Sequence, residues 1–187
     1  TAIQDGTVET GTTVRVERGI VTAVVTGRAT GFWIQQGGGA YSGIYVYVGN
    51  REAELPEGLE QGSRVDVTAR VAEYQGSTQL QDPEVVVGES GALPEPEALQ
   101  VVDLVTDNTE AEQWEGVLVS VTSVTISDAN PDGDNDYGEF VLAGGLRVDD
   151  YIFDDLESGD LFPRQVGTTF NRIIGIAHES FGNKKLL

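Results

Sequence analysis

The segment GSRVDVTARVAEYQGSTQL, from Gly62 to Leu80, returns in altered form as GTTFNRIIGIAHESFGNKKL, from Gly167 to Leu186. Val65 answers to Phe170, Val71 to Ile176 and Ala72 to Ala177; after a one-residue slip, Gly76 answers to Gly182 and Leu80 to Leu186. Each copy reads as a strand, a glycine-containing turn and the start of a second strand. An earlier pair aligns Gly19-Ile-Val-Thr-Ala-Val with Gly116-Val-Leu-Val-Ser-Val, about one small domain away. A chain of 187 residues would otherwise fit either one domain or two. The repeat decides for two homologous β-domains in tandem.

Val14 to Thr26, VRVERGIVTAVVT, is a long β-branched run with Gly19 inside it, the pattern of a bulged, strongly coiled first strand. Gly31-Phe-Trp-Ile-Gln-Gln and Gly43-Ile-Tyr-Val-Tyr-Val-Gly follow. In the latter Ile44, Val46 and Val48 share one face and Tyr45 and Tyr47 the other. The aliphatic face is the expected core, which leaves the tyrosines outside the barrel or against a neighbouring domain. Arg51 to Gln61 is acidic, broken by Pro56 and Gly58, and has room for one helical turn. The hairpin around Gln75-Gly76, with its second strand broken near Asp82-Pro83, completes five strands in the element order of an OB-fold barrel.

The fold class expected is therefore all-β, two tandem OB-fold-like five-stranded barrels. The first occupies residues 1–90 with an N-terminal lead-in, and the second residues 103–187. Residues 91–102, in the Pro-, Gly- and Glu-rich stretch ESGALPEPEAL, are the expected linker. Trp114 to Ser127 is the second long first strand. A helical turn is expected before it, capped near Asn108 or Thr109.

The net charge of −20 restricts partners. Residues 1–90 hold six basic against twelve acidic side chains, and the rest of the chain five against nineteen, so the second half is the acidic one. Such a surface repels phosphate backbones and attracts divalent cations, or simply keeps the protein soluble in salt. With no cysteine there is no disulfide, thiolate metal site or thiol nucleophile. No apolar run approaches the ~18 residues of a membrane-spanning helix. A first residue of Thr1 points to a removed leader or an upstream segment, hence to a secreted or periplasmic protein. The abrupt end at Lys184-Lys-Leu-Leu suggests a piece of a longer protein whose catalytic part, if any, lies elsewhere.

Gly31-Phe-Trp-Ile-Gln, Ser42-Gly-Ile-Tyr-Val-Tyr, Gly62-Ser-Arg-Val-Asp-Val-Thr-Ala-Arg-Val-Ala-Glu-Tyr and Gly76-Ser-Thr-Gln-Leu, followed by Trp114-Glu-Gly-Val-Leu-Val and Gly138-Glu-Phe-Val-Leu, resemble the OB-fold regions of secreted bacterial nucleases. Those regions precede a metal-dependent catalytic domain of the endonuclease/exonuclease/phosphatase class. The resemblance implies an accessory module, not the catalytic domain. It rests on strand patterns, and the acidic second half departs from a DNA-gripping surface.

Asp128-Ala-Asn-Pro-Asp-Gly-Asp-Asn-Asp-Tyr-Gly-Glu139 satisfies the spacing of a calcium loop, with Asp128, Asn130 and Asp132 at its first, third and fifth positions, Gly133 at the sixth and Glu139 at the twelfth. Calcium takes six to eight hard oxygens. Asp134 would add its carbonyl and Asp136 a water-mediated contact. The loop joins strands, not helices, and Asn135 replaces the usual aliphatic residue, so it is no EF-hand; a structural calcium would order a hairpin loop. The alternative is a long acidic turn whose Asp, Asn and Gly satisfy turn geometry. A second cluster, Asp149, Asp150, Asp154, Asp155, Glu157 and Asp160, matches no named motif and reads as a solvated loop.

Trp33, Tyr45 and Tyr47, with Arg28 near, lie on the strands where OB-folds stack single-stranded nucleic acid. They would equally serve to pack a second domain, cover a barrel edge or, beside Gln35 and Gln36, hold a sugar. Eleven basic residues in all make nucleic-acid binding weak or absent. His178, the only histidine, aligns with Glu73, which suggests a surface position. No nucleophile or phosphate-binding motif is present. Three readings follow: a non-catalytic binding or scaffolding module of a secreted protein, a nucleic-acid-handling accessory to a nuclease catalytic domain, or an enzyme built on the carboxylate clusters. The sequence fixes no oligomeric state.

Overall fold

The computed structural model describes residues 2–27, 29–153 and 164–187. Its strands are β1 Thr13–Val25, β2 Ala29–Gln35, β3 Gly43–Asn50, β4 Ser63–Tyr74, β5 Ser77–Ser90, β6 Glu97–Ala98, β7 Leu118–Asp128, β8 Phe140–Leu142, β9 Arg147–Val148, β10 Thr169–Ser180 and β11 Asn183–Leu186. The first five close a barrel in the order β1-β2-β3-β5-β4. In the second half β7, β8, β9, β11 and β10 pair in the same cyclic order, β10 returning to β7. The one parallel contact of each ring, β3 with β5 and β9 with β11, is also shared. This is the OB-fold strand order, twice.

Inward-facing aliphatic side chains fill each barrel, in clean alternation along β4. Val65, Val67, Ala69 and Val71 on β4 face Ile44 and Val46 on β3 inside the first. Val119, Val121, Leu142, Leu146 and Leu186 fill the second. Val65 and Phe170 each pack into their own barrel's core, opposite Gly19 and Val124 respectively. The bulge expected at Gly19 is present: the β1–β4 register shifts between Val16 and Gly19, Arg18 takes φ 59°, and Asp66 accepts the Arg18 N–H at 2.8 Å.

Spatial equivalence corrects two details of the aligned repeat. The Gly11 N–H donates to the Val71 carbonyl at 2.8 Å, and the Val71 N–H to that of Thr12 at 2.9 Å. In the second barrel Gly116 donates to Ala177 at 2.7 Å, and Ala177 to Val117 at 3.0 Å. Gly116 is therefore the counterpart of Gly11, not of Gly19. The slide crosses the bulge before Gly19, so it sets core-facing Val21 against seam-facing Leu118, an inversion that a run of almost continuous β-branched residues does not reveal. Likewise Val71 opposes Leu80 as Ala177 opposes Leu186, which makes Ala177 the counterpart of Val71 and His178 that of Ala72. The one-residue slip lies upstream, in β10. Ile176 consequently points out of its own barrel.

Two connections differ from expectation. Residues 51–61 form turns without a helix, Leu55 and Leu59 packing against the first core. The segment expected as a linker is tied down: β6 adds to the second sheet beside β7, and Glu97 Oε1 accepts the Gly39 N–H in the β2–β3 loop. The helical turn before β7 is a 3-10 helix, Thr109–Trp114, capped by Asn108, whose side chain accepts the Glu110 N–H at 2.9 Å.

Candidate functional site

Two places gather the residues singled out by sequence, and the first is the seam between the barrels. Because β3 alternates, the face opposite Ile44 and Val46 presents Tyr45, and β2 presents Trp33 beside it. These rings form a buried cluster with Ala23 and Val25 from the first barrel and Leu118, Ile176 and Leu187 from the second. Trp33 is wholly buried and Tyr45 nearly so, with ring centroids 4.6 Å apart. Tyr47 is half-buried at the margin. Of the faces proposed for stacking bases, those of Trp33 and Tyr45 are covered by the second barrel, and Arg28 lies outside the described residues.

His178 corrects the surface position expected of it. Its ring meets Trp33 edge-on at 5.8 Å, and its Nδ1 is enclosed. Burial, with the Lys185 charge adding, lowers its pKa to about 4. Burial also raises the Tyr45 hydroxyl above its ordinary range.

Polar contacts fix the seam. The Leu118 N–H donates to Gln35 Oε1 at 2.9 Å, and Gln35 Nε2 donates to the Gly37 carbonyl at 3.0 Å. Gln4 reaches from the lead-in to the carbonyls of Gly43, at 3.1 Å, and Glu115, at 3.3 Å, one from each barrel. The Tyr41 N–H donates to the Gln113 carbonyl at 2.6 Å. Backbones touch at Gly43 and Gly116: a Cβ on Gly43 would lie 2.0 Å from the Gly116 carbonyl oxygen. Sequence reasoning missed Gln4, Gly43 and Glu115 and assigned Gln35 only to a sugar, because a single glutamine or glycine carries no periodic signal.

The second place is the acidic loop between β7 and β8. Asp128 accepts the Asn130 N–H, Asn130 accepts the Asp132 N–H and donates to the Gly133 carbonyl, and Asp136 accepts the Gly138 N–H. These are local turns closed by short polar side chains. Asp132, Asp136 and Glu139 also meet cations, while Asp132 Oδ2 is buried without a partner. Arg147 Nη1 bonds Asp132 Oδ1 at 2.9 Å and Glu139 Oε2 at 2.6 Å. Arg164 holds Asp136 at 2.7 Å. Lys185 bridges Glu139 and, at 3.0 Å, Asp149. Glu139 and Lys185 are both buried, while Asp128 and Asp134 face solvent.

Three basic side chains from its own barrel thus offset part of the charge of the loop's five carboxylates. Among the described residues no three His, Cys, Asp or Glu side chains are grouped to hold a metal. Calcium would have to displace Arg147 and Lys185 from Glu139. Asp154, Asp155, Glu157 and Asp160 of the second acidic cluster lie outside the described residues. The basic pair is likewise committed, Lys184 bridging Glu112 and Glu179 at 2.6 Å each. Among the described residues no helix is long and apolar enough to cross a membrane. Comparison with protein-family models, with curated proteins and with solved structures returned no match to this chain.

Proposed function

We propose that this chain is a non-catalytic binding or scaffolding module of a secreted protein, a pair of OB-fold barrels that works as one rigid body. The observation that carries this reading is the seam. Trp33 and Tyr45, the aromatic rings an OB-fold would offer to a ligand, pack the second barrel instead, and the backbone contact of Gly43 with Gly116 leaves no room for sliding. The side chains suited to acid–base chemistry support structure too: His178 lies against Trp33, Glu139 is ion-paired, and Glu115 accepts a hydrogen bond from Ser77. With a net charge of −20, the molecular surface favours cationic over phosphate-bearing partners.

Backbone 15N relaxation tests rigidity directly. Both barrels are expected to report one rotational correlation time; two independent values would remove the rigid-module reading. Titration at low salt with a single-stranded oligonucleotide tests the alternative of an accessory that handles nucleic acid for a nuclease. A flat signal is expected, and saturable binding would favour that alternative.

A further inference from the structure

Glu115 ends the 3-10 helix Thr109–Trp114 and immediately precedes Gly116, the residue whose backbone touches the first barrel. Its side chain crosses the seam into β5: Ser77 Oγ bonds Oε1, and the Thr78 N–H donates to Oε2 at 3.3 Å. Only 4% of the residue is exposed. Among the described residues, no lysine, arginine or histidine side chain pairs with it. The charged and titratable groups around it come from every packed element. Glu112 lies on its own helix and Glu73 on β4. His178 and Glu179 on β10, with Lys184 and Lys185 on β11, line the small cavity that Glu115 also borders. Those two lysines are already held, one by Glu112 and Glu179 and the other by Glu139 and Asp149.

A carboxylate in this position is unusual. Two neutral donors face it, and its titratable neighbours on the Thr109–Trp114 helix and on β4 are acidic. We propose that Glu115 is a proton-operated latch between the two barrels: neutral, it lets the seam close, and ionised, it draws in water and loosens one barrel from the other. In the neutral form the acid O–H can donate to Ser77 Oγ while the other oxygen keeps the Thr78 N–H. Burial, with Glu112 and Glu73 adding, raises the carboxyl from 4.5 to about 8, which places the transition in the mildly alkaline range. The inference rests on the rigid pairing proposed above.

The sign follows from linkage. A group whose pKa is higher in the closed state favours closure at low pH, and that preference is lost as pH rises from the open-state value to the closed-state one. Hydrogen exchange of the Leu118 amide, corrected for intrinsic pH dependence, reports seam opening. The opening constant is expected to rise about tenfold per pH unit between about 5 and 8 and then to level off; in Glu115→Gln it is expected to stay flat. A parent curve that is flat, or one that Glu115→Gln reproduces, overturns the latch. Should that variant not fold, 13C titration of the Glu115 carboxyl in the unaltered chain decides, and a midpoint near 4.5 overturns it. Relaxation data separate the two readings: independent tumbling at every pH defeats the rigid module, whereas a single correlation time together with a pH-independent opening constant defeats only the latch.

Discussion

Leu118 and Gln35, 83 positions apart in the chain, are joined across the seam by a backbone N–H that donates to a side-chain oxygen at 2.9 Å, both partners buried. The Leu118 N–H has no water to turn to. Gln35→Leu is therefore expected to destabilise the protein by about 1–3 kcal/mol, the penalty of a buried donor left unmade. Chemical denaturation followed by tryptophan fluorescence measures it, since Trp33 sits in the same seam. A loss within experimental error would show that the donor finds another acceptor.

Steric closeness gives a second expectation. Gly43→Ala places a methyl group 2.0 Å from the Gly116 carbonyl oxygen, and both neighbours are backbone, so neither can rotate away. The barrels must separate locally, at a cost of about 1–3 kcal/mol or more. Thermal denaturation should show a lower midpoint, and Leu118 amide exchange should accelerate with it. Unchanged exchange would mean that the seam absorbs the methyl group.

Lys185 tests what orders the acidic loop. Lys185→Met leaves Glu139, itself 5% exposed, with only Arg147 to offset its charge, and breaking a buried pair costs about 3–5 kcal/mol. The parent is expected to show the same melting midpoint with calcium as with a chelator, because its own cations supply the charge. A calcium-dependent rise that disappears in Asp132→Ala would establish the metal-ordered loop that the residue spacing suggests.

Acid should weaken the protein through His178. Its ordinary pKa of 6.5 falls to about 4 in the fold, so the folded state binds the proton less readily than the unfolded one. The stability this group contributes is complete above pH 6.5 and declines as pH falls toward 4, the unfolding constant rising about tenfold per unit. Glu115 titrates with the opposite sign over part of that range, so the comparison requires a variant. His178→Asn, measured by denaturation between pH 4 and 7, should flatten the acid limb; an unaltered limb would assign it to other groups.

The repeated strand order was legible because alternation and glycine-bearing turns are local signals. Val65, Val71, Leu80 and their counterparts announce strands and a hairpin whatever they pack against. Register along the strand was not legible. Ile176 reads like Val71, yet it faces out of its barrel toward Trp33, and only the opposing Leu186 reveals the offset. The aromatic faces of Trp33 and Tyr45 were visible as a feature, whereas their occupant was not, since a second domain and a stacked base ask for the same residues. The acidic loop shows the same limit. Spacing disclosed that its carboxylates crowd together, but Arg147, Arg164 and Lys185, which pair with three of them, come from elsewhere in the chain and follow no motif.

The short strand β6 and the Glu97 carboxylate bear on how a protein of two like barrels can evolve. A segment that contributes a strand to one repeat and caps a loop of the other is no longer a free tether. Splitting the chain there would strip something from each half. Joined in this way, the two barrels can be lost or shuffled only together.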